Sequence, residues 1–384
     1  MIDTFLAANS NLILGAILFT LCAFGYWAEQ TRRGSPPLAA LLVLALASLC
    51  SHLELIPNSA PIYPVITTYG ITLAIPLILS QIDLRELPAH AKATLLLLAC
   101  GIGGTILGSI IGLTILPLGA EGGKLAAIFV AQSIGTSANA ADVAAALDVQ
   151  GTVSLETITT IDRQISSLFI LFWLLISIIP GIRRFFTPHQ EDWGIRFGSA
   201  PVPTILKQTA PTRFDLALAL GTSAISALLG YFVAAILRLP GTELLFTAII
   251  VIVLTQVFST TSDRLAGIEE LGSLSILLFF ATLGATASLP ELLSLDPLLL
   301  KFAGIILLAH LTVMFVASKL LNIEWADLLI AANASMGSAT LGVAMAVAQR
   351  WETLLVPAII CGTVGSIVAS PIGFILGNIL SYWN

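Results

Sequence analysis

The chain alternates long apolar stretches with short polar segments along its whole length. A helix that crosses a bilayer needs about 20 apolar residues. Ten stretches reach about that length: 11–28, 36–55, 62–80, 93–117, 154–182, 213–237, 242–259, 269–287, 298–319 and 353–381. We therefore predict an all-α polytopic membrane protein with ten membrane-spanning helices.

Two further apolar segments, 124–149 and 326–349, are interrupted near their middles by small polar residues. With a constant offset of 202, Ser133–Thr136 aligns with Ser335–Ser338. Interruptions at matching positions of an internal repeat are typical of the binding sites of secondary transporters. The candidate substrate- or ion-binding residues in the interruptions are Ser133, Gly135, Thr136, Ser137, Asn139, Asn333, Ser335, Gly337, Ser338 and Thr340.

The basic residues indicate how these two segments run. If both cross the membrane, 7 extramembrane Lys and Arg residues are cytoplasmic and 8 are outside; if both enter and return, the numbers become 12 and 3. The positive-inside rule favours the second arrangement. We therefore predict two inverted repeats of five spans, 1–182 and 213–384, each with a re-entrant hairpin. A cytoplasmic linker at 183–212 joins them, and both termini lie outside, in a multi-pass protein of the cell (inner) membrane.

Composition supports a membrane location and excludes other functional classes. Hydrophobic residues form 57% of the chain and charged residues 10%, against about 25% charged residues in soluble domains. The net charge of −6 includes no basic stripe, so a nucleic-acid partner is not expected. The cysteines and histidines are isolated from one another, and neither a metal site nor a cofactor is expected.

Glycine spacing carries two different predictions. Gly104, Gly108 and Gly112 recur every four residues, which predicts a face where another helix packs closely. Gly135 and Gly337 lie at the interruptions, where they give the backbone freedom to depart from a helix. Irregular backbone at membrane depth is tolerated only where protein or a water-filled cavity satisfies its polar groups. The interruptions therefore predict a cavity at the membrane midplane.

Ionisable residues inside a span are costly and indicate function by default. Asp162 and Arg163 lie about eight residues into the span at 154–182, and Asp142 follows the first interruption. Asp162 or Asp142 is a candidate to bind Na⁺ or to carry a proton, and Arg163 to bind an anion. Alternatively, Asp142 caps a half-helix and Arg163 extends to the interface. Glu291 lies at the end of a span and is expected to be solvated.

Two motifs resemble a known family. Ser133–Leu147 resembles the hairpin motif GGSxNxxAVAxAL of the membrane proteins grouped as domain of unknown function 819, and Asn333–Gly373 resembles that family's NxxIGGPxTAxAMAxAxxWxxLxxPGILxGxxG. The resemblance covers nearly the whole chain. It implies membership of the superfamily of sodium/proton antiporters, bile-acid symporters and 2-hydroxycarboxylate or glutamate symporters. Such proteins are typically homodimers in which a core moves against a rigid scaffold, the elevator type of transport.

These features together predict an ion-coupled secondary transporter of a small organic anion, working by alternating access with Na⁺ or H⁺ as coupling ion. A sodium/proton antiporter without an organic substrate is the alternative, with Asp142 as its titratable carboxylate. A channel is less favoured, because the sequence lacks the short Asn-Pro-Ala turns of water channels. An enzyme is not expected, since neither an HExxH nor a GxSxG motif is present.

Overall fold

The structure is a computed structural model that describes residues 10–30, 37–79, 87–149, 155–179, 181–182, 212–257 and 269–381. Within these ranges all regular secondary structure is helical. The predicted linker at 183–212 lies outside the described residues, apart from Thr212.

The described helices are numbered in chain order. They are α1 (Ser10–Gln30), α2 (Leu38–His52), α3 (Ile62–Leu79), α4 (Leu87–Ile115), α5 (Gly122–Ile134), α6 (Ser137–Ala146), α7 (Leu155–Ser177), α8 (Arg213–Leu237), α9 (Glu243–Val257), α10 (Glu269–Thr286), α11 (Leu289–Ser294), α12 (Pro297–Leu320), α13 (Trp325–Ala348) and α14 (Leu355–Leu380). A single π-helical turn, Ile66–Gly70, lies inside α3. Such turns are rare and frequently occur at functional sites.

Each of the ten predicted spans is a helix in the structure. Seven helices of the described residues are long and apolar enough to cross a membrane: Asn11–Gln30, Ile62–Leu79, His90–Ile115, Leu155–Ser177, Arg213–Leu237, Pro297–Leu320 and Glu352–Leu380. The other three, α2, α9 and α10, are apolar but shorter. The fold is consistent with a polytopic membrane protein.

The helices form two bundles. The core bundle consists of α4, α5, α6, α12, α13 and α14, and the scaffold bundle of α1, α2, α3, α8, α9 and α10. Most packing contacts lie within one bundle, while α7 contacts helices of both. A boundary of this kind permits one bundle to move against the other with little loss of internal packing.

The glycines of α4 allow close packing against α12 within the core bundle. A Cβ added at Gly108 would lie 2.7 Å from the Cα of Ile306 on α12, and one at Gly104 would lie 3.0 Å from the Cβ of Val313. At Gly112 the added atom would lie 2.6 Å from the ring of Phe302. The prediction of a close-packing face is confirmed, because no larger residue fits at these positions without a shift of α12.

The first interrupted segment folds back on itself. Its start lies beside the end of α14, since a Cβ at Gly123 would lie 2.6 Å from the carbonyl oxygen of Leu380. Its tip lies deeper, with Ile134 O 2.8 Å from the Cβ position of Gly365. The chain then returns along α14, and Leu147 contacts Gly377. Helices α5 and α6 are therefore the two arms of a hairpin.

The second interrupted segment also reverses, although its helical geometry runs without a gap from Trp325 to Ala348. A Cβ added at Gly342 would lie 3.1 Å from the Cβ of Ala334, eight residues earlier. In a straight helix residues eight apart are separated by about 12 Å. The non-helical break expected at Asn333–Thr340 is therefore wrong, while the chain still folds back within α13.

The absence of a break has a local cause. Asn333 Nδ2 donates to Leu329 O at 2.8 Å, and Ser335 Oγ donates to Ala332 O at 3.1 Å. Because both side chains bond to the turn of helix before them, these polar residues do not need a non-helical backbone. The Ser338 side chain and the surroundings of Gly337 lie outside the described part of the structure.

Helix α14 relates the two hairpins to each other. It starts at Leu355, shortly after the second hairpin ends, and finishes at Leu380, beside the base of the first. The tips meet near its middle, where Gly362 contacts Ala339 and Gly365 contacts Ile134. The hairpins therefore approach each other from opposite ends of the molecule.

We name the two ends of the molecule by what lies there. The cavity face contains Asn58, Gly241, Glu291 and Leu380. The linker face contains Glu29, Ser177, Arg213 and Arg350. Trp173, near the end of α7, contacts Trp325 at the start of the second hairpin with ring centroids 5.9 Å apart, which places the end of α7 on the linker face.

Candidate functional site

A cavity of about 700 Å³ lies between the two bundles on the cavity face and reaches both hairpin tips. The first tip contributes Gln132, Gly135, Thr136 and Ser137, and the second contributes Ala339, Thr340 and Leu341. Further polar lining comes from the segment before α3 and from α3, α7, α8, the start of α9, α10 and α14: Asn58, Ser59, Tyr63, Thr67, Thr68, Thr72, Thr159, Asp162, Arg163, Ser166, Tyr231, Glu243, Thr286 and Ser366.

The first tip is held in place by Asn139. Its Oδ1 accepts from both the backbone N–H and the hydroxyl of Thr136, each at 3.0 Å. Its Nδ2 donates to Ser366 O and to Ser370 Oγ on α14, each at 2.8 Å. Thr136 is thus the N-cap of α6. Asn139 is buried and positions the tip; it does not line the cavity.

Two other candidates in the first hairpin also lie away from the cavity. Ser133 is buried among the packed residues of α5. Asp142 is exposed, and its carboxylate accepts from Ser370 Oγ at 3.5 Å. Because Asp142 does not line the cavity, its prediction as an ion-binding or proton-carrying residue of this site is not supported.

Asp162 lines the cavity from α7, as the sequence indicated. Gln132 Nε2 donates to its Oδ2 at 3.1 Å. The other amide atom, Gln132 Oε1, is buried and has no hydrogen-bond partner among the described residues. A carboxylate and an uncommitted amide oxygen therefore lie together beside the first tip.

Arg163 also lines the cavity, but its charge is already paired. Its Nη2 donates to Glu291 Oε1 at 3.2 Å. Gln164 Nε2 and Asn58 Nδ2 donate to Glu291 Oε2 at 2.9 Å and 3.3 Å. The expectation that Glu291 is merely solvated is therefore wrong. Since Glu291 neutralises Arg163, the assignment of Arg163 as partner of a substrate anion loses its main support.

The second hairpin brings one predicted residue to the cavity. Thr340 lines it, whereas Asn333 and Ser335 are buried behind the tip. Ser335 Oγ lies 3.4 Å from His310 Nε2, and His310 Nδ1 lies 3.1 Å from both Gly101 O and Thr105 Oγ1. This buried network ties the second tip to α4 and α12. The positions of Gly337 and of the Ser338 side chain relative to the cavity lie outside the described part of the structure.

Several lining residues were not predicted. Glu243 opens α9, and its Oε1 accepts from Gly241 N at 3.2 Å. Thr67 and Thr68 lie in the π-helical turn of α3, and Gln132 precedes the first tip. Gln132 could have been identified from the sequence, because it is a polar residue directly beside an interruption. Nothing in the local sequence distinguishes Glu243 from an ordinary residue at a span end.

Family models and known proteins were compared with the chain. The model described as "Protein of unknown function (DUF819)" matches residues 16–383. The Bacillus subtilis (strain 168) protein described as "Uncharacterized membrane protein YjcL" is 28% identical over 359 residues, which cover 88% of this chain and 89% of that protein.

Proposed function

The chain belongs to the DUF819 family of membrane proteins, and we propose that it is an ion-coupled secondary transporter with its substrate site in the cavity at the hairpin tips. One observation carries the proposal: two segments fold back from opposite ends of α14, and both tips line one cavity. Helix ends and irregular backbone at mid-depth bind substrates and coupling ions in transporters of inverted-repeat architecture. We accordingly take the halves 1–182 and 213–384 as inverted repeats and the two segments as re-entrant.

Alternating access follows from the asymmetry between the two faces. On the cavity face the tip residues Ser137 and Ala138 are exposed. On the linker face the bundles touch, and Arg350 Nη2 donates to Glu29 Oε1 at 2.6 Å beside a cavity of only about 200 Å³. Movement of the core bundle along the scaffold would close the first opening and break this second contact. We therefore take the structure as one end state of the elevator-type cycle that we propose.

We assign the coupling ion to Asp162. Carboxylate and amide oxygens bind hard cations, and Asp162 has the uncommitted oxygen of Gln132 beside it. The carboxylate can take either Na⁺ or H⁺. Positive-inside counting places the linker face in the cytoplasm of a cell (inner) membrane.

A homodimer joined through the scaffold bundle completes the proposal. The scaffold helix α8 exposes large apolar residues, Leu220, Ile225, Leu228, Phe232 and Ile236. In a membrane this face contacts lipid or a second copy. Multi-angle light scattering of the detergent-solubilised protein tests the dimer, and a monomer mass would exclude it under those conditions.

Reconstituted vesicles test the transport proposal directly. In the parent we expect saturable Na⁺ or H⁺ flux that requires an added solute, and Asp162→Asn should abolish the coupled flux. Asp296→Asn is the matched control, because Asp296 caps α12 on the cavity face and does not line the cavity. Ion flux that never saturates and needs no solute would show a channel instead.

A sodium/proton antiporter is the second candidate, because Asp162 and Glu243 give the lining an excess of carboxylates. Vesicles loaded with a pH-sensitive dye and given a Na⁺ gradient distinguish the two. An antiporter changes the internal pH with no organic solute present, whereas the transporter that we propose gives no signal until a solute is added.

A further inference from the structure

We propose that the cavity binds a solute carrying a positively charged amine, and not the small organic anion that the sequence predicted. The inference rests on the proposed function, because it names the substrate class of the same site. It comes from the charges, the hydrogen-bond acceptors and the aromatic rings that line the cavity.

The charges of the lining are unbalanced. Among the described residues, three charged side chains line the cavity: Asp162, Glu243 and Arg163. Arg163 is paired with Glu291, and in the described part of the chain neither Asp162 nor Glu243 forms an ion pair. The coupling ion neutralises Asp162 in the function proposed above, which leaves the Glu243 carboxylate without a cationic partner. An anion placed beside Glu243 is repelled, whereas an ammonium group is attracted.

The two carboxylates flank the same hairpin tip. Asp162 is bonded to Gln132, four residues before Thr136. On the other side, Gly241, whose N–H donates to Glu243, has its Cβ position 3.9 Å from Thr136 Cγ2. A solute seated against Thr136 therefore has one carboxylate from α7 on one side and one from the scaffold bundle on the other.

The hydroxyl groups of the lining are arranged to accept hydrogen bonds. Thr67 Oγ1 donates to Tyr63 O at 3.0 Å, and Thr159 Oγ1 donates to Leu155 O at 2.9 Å. A hydroxyl that has donated its proton to its own helix offers only lone pairs to a ligand. Together with the Glu243 carboxylate, these two hydroxyl groups offer one acceptor for each of the three N–H donors of an ammonium group.

The lining also contains aromatic rings from Tyr63, Tyr231 and Phe279. Organic cations are attracted to the faces of such rings. The N-terminus of α6 is a contrary feature, since helix N-termini favour anions. The roughly half-unit positive charge of a helix N-terminus is, however, smaller than the full negative charge of the Glu243 carboxylate.

Matched cations and anions test the inference through the thermal stability of the purified protein. The first pair is 1,4-diaminobutane and succinate; the second is 2-phenylethylamine and 3-phenylpropionate. A ligand that binds only the folded state raises the unfolding temperature, and the rise grows with the logarithm of the ligand concentration above the Kd. We expect a concentration-dependent rise with at least one amine and none with the corresponding acid.

Variants locate the binding. Glu243→Gln should weaken amine binding at least about tenfold, because a charge-assisted hydrogen bond is lost. Glu54→Gln is the control, since Glu54 lies on the same face but does not line this cavity.

Three results would each overturn the inference. They are a rise in unfolding temperature with the acids, no rise with either amine, and equal rises in the parent and the Glu243→Gln variant. Acid binding accompanied by solute-dependent ion flux would leave the transporter proposal intact, whereas absent flux would defeat that proposal whatever binds.

Discussion

At the scale of single residues, the sequence identified polar groups in apolar segments but not the direction in which they point. The candidate binding residues that line the cavity are Gly135, Thr136, Ser137, Asp162, Arg163 and Thr340. Asn139 and Ser335 do not line the cavity, because residues far away in the chain hold their side chains. Ser366 and Ser370 bind Asn139, and His310 contacts Ser335. Partners so far away in the chain leave no local signal.

Asn139 makes the clearest prediction at this scale. Asn139→Ala removes the side chain that bonds back to the N-cap Thr136 and both bonds to α14, so the free energy of unfolding should fall by about 1–3 kcal/mol. Asn378→Ala is the control, because the exposed Asn378 bonds only to Phe374 O within its own helix. Thermal unfolding in detergent measures both variants, and equal stability of the two would refute the positioning role.

The network around Glu291 contains both buried hydrogen bonds and a partly exposed ion pair, so the stability contributions of the two can be compared. Gln164 is buried and makes three bonds, to Thr286 O, Glu291 Oε2 and Ser288 N. Gln164→Ala should therefore cost about 1–3 kcal/mol of stability. Arg163 is 43% exposed in its side chain, and Arg163→Ala should cost under about 1 kcal/mol. A larger loss from Arg163→Ala would contradict this ranking when the two are compared by thermal unfolding.

At the scale of elements, hydrophobic length predicted the helices and the internal repeat identified the two unusual segments. The spans at 62–80 and 213–237 match α3 and α8 to within one residue. The form of the second reversal could not be predicted. It depends on close contact between the small residues Ala334 and Gly342, and helical geometry is kept on both sides of the turn.

Disulfide crosslinking tests this reversal. In a background with the four native cysteines replaced by serine, the pair Ala334→Cys and Gly342→Cys should form a disulfide efficiently, because the fold brings these positions together. The pair Gly304→Cys and Thr312→Cys has the same spacing in α12 and should not. Equal, low crosslinking of both pairs would mean that Trp325–Ala348 is one straight helix.

At the scale of the whole molecule, the sequence predicted the two-part architecture by resemblance and not from its residues. Two ion pairs join residues that are far apart in the chain: Glu29 with Arg350, separated by 321 positions, and Arg163 with Glu291, separated by 128. Charged residues near span ends are ordinarily solvated, so their pairing follows only from the packing of the bundles. The excess of carboxylates in the cavity likewise emerges only once these pairs are known.

Accessibility of Ser137 tests most directly whether the cavity serves both sides of the membrane. Ser137→Cys, in the cysteine-free background, is treated with an impermeant thiol reagent from each side in oriented vesicles. We predict labelling from the cavity face and slower labelling from the linker face. Arg350→Gln should accelerate labelling from the linker face, because the substitution removes the ion pair with Glu29. Labelling from the cavity face alone, in both the parent and the Arg350→Gln variant, would contradict alternating access through this site.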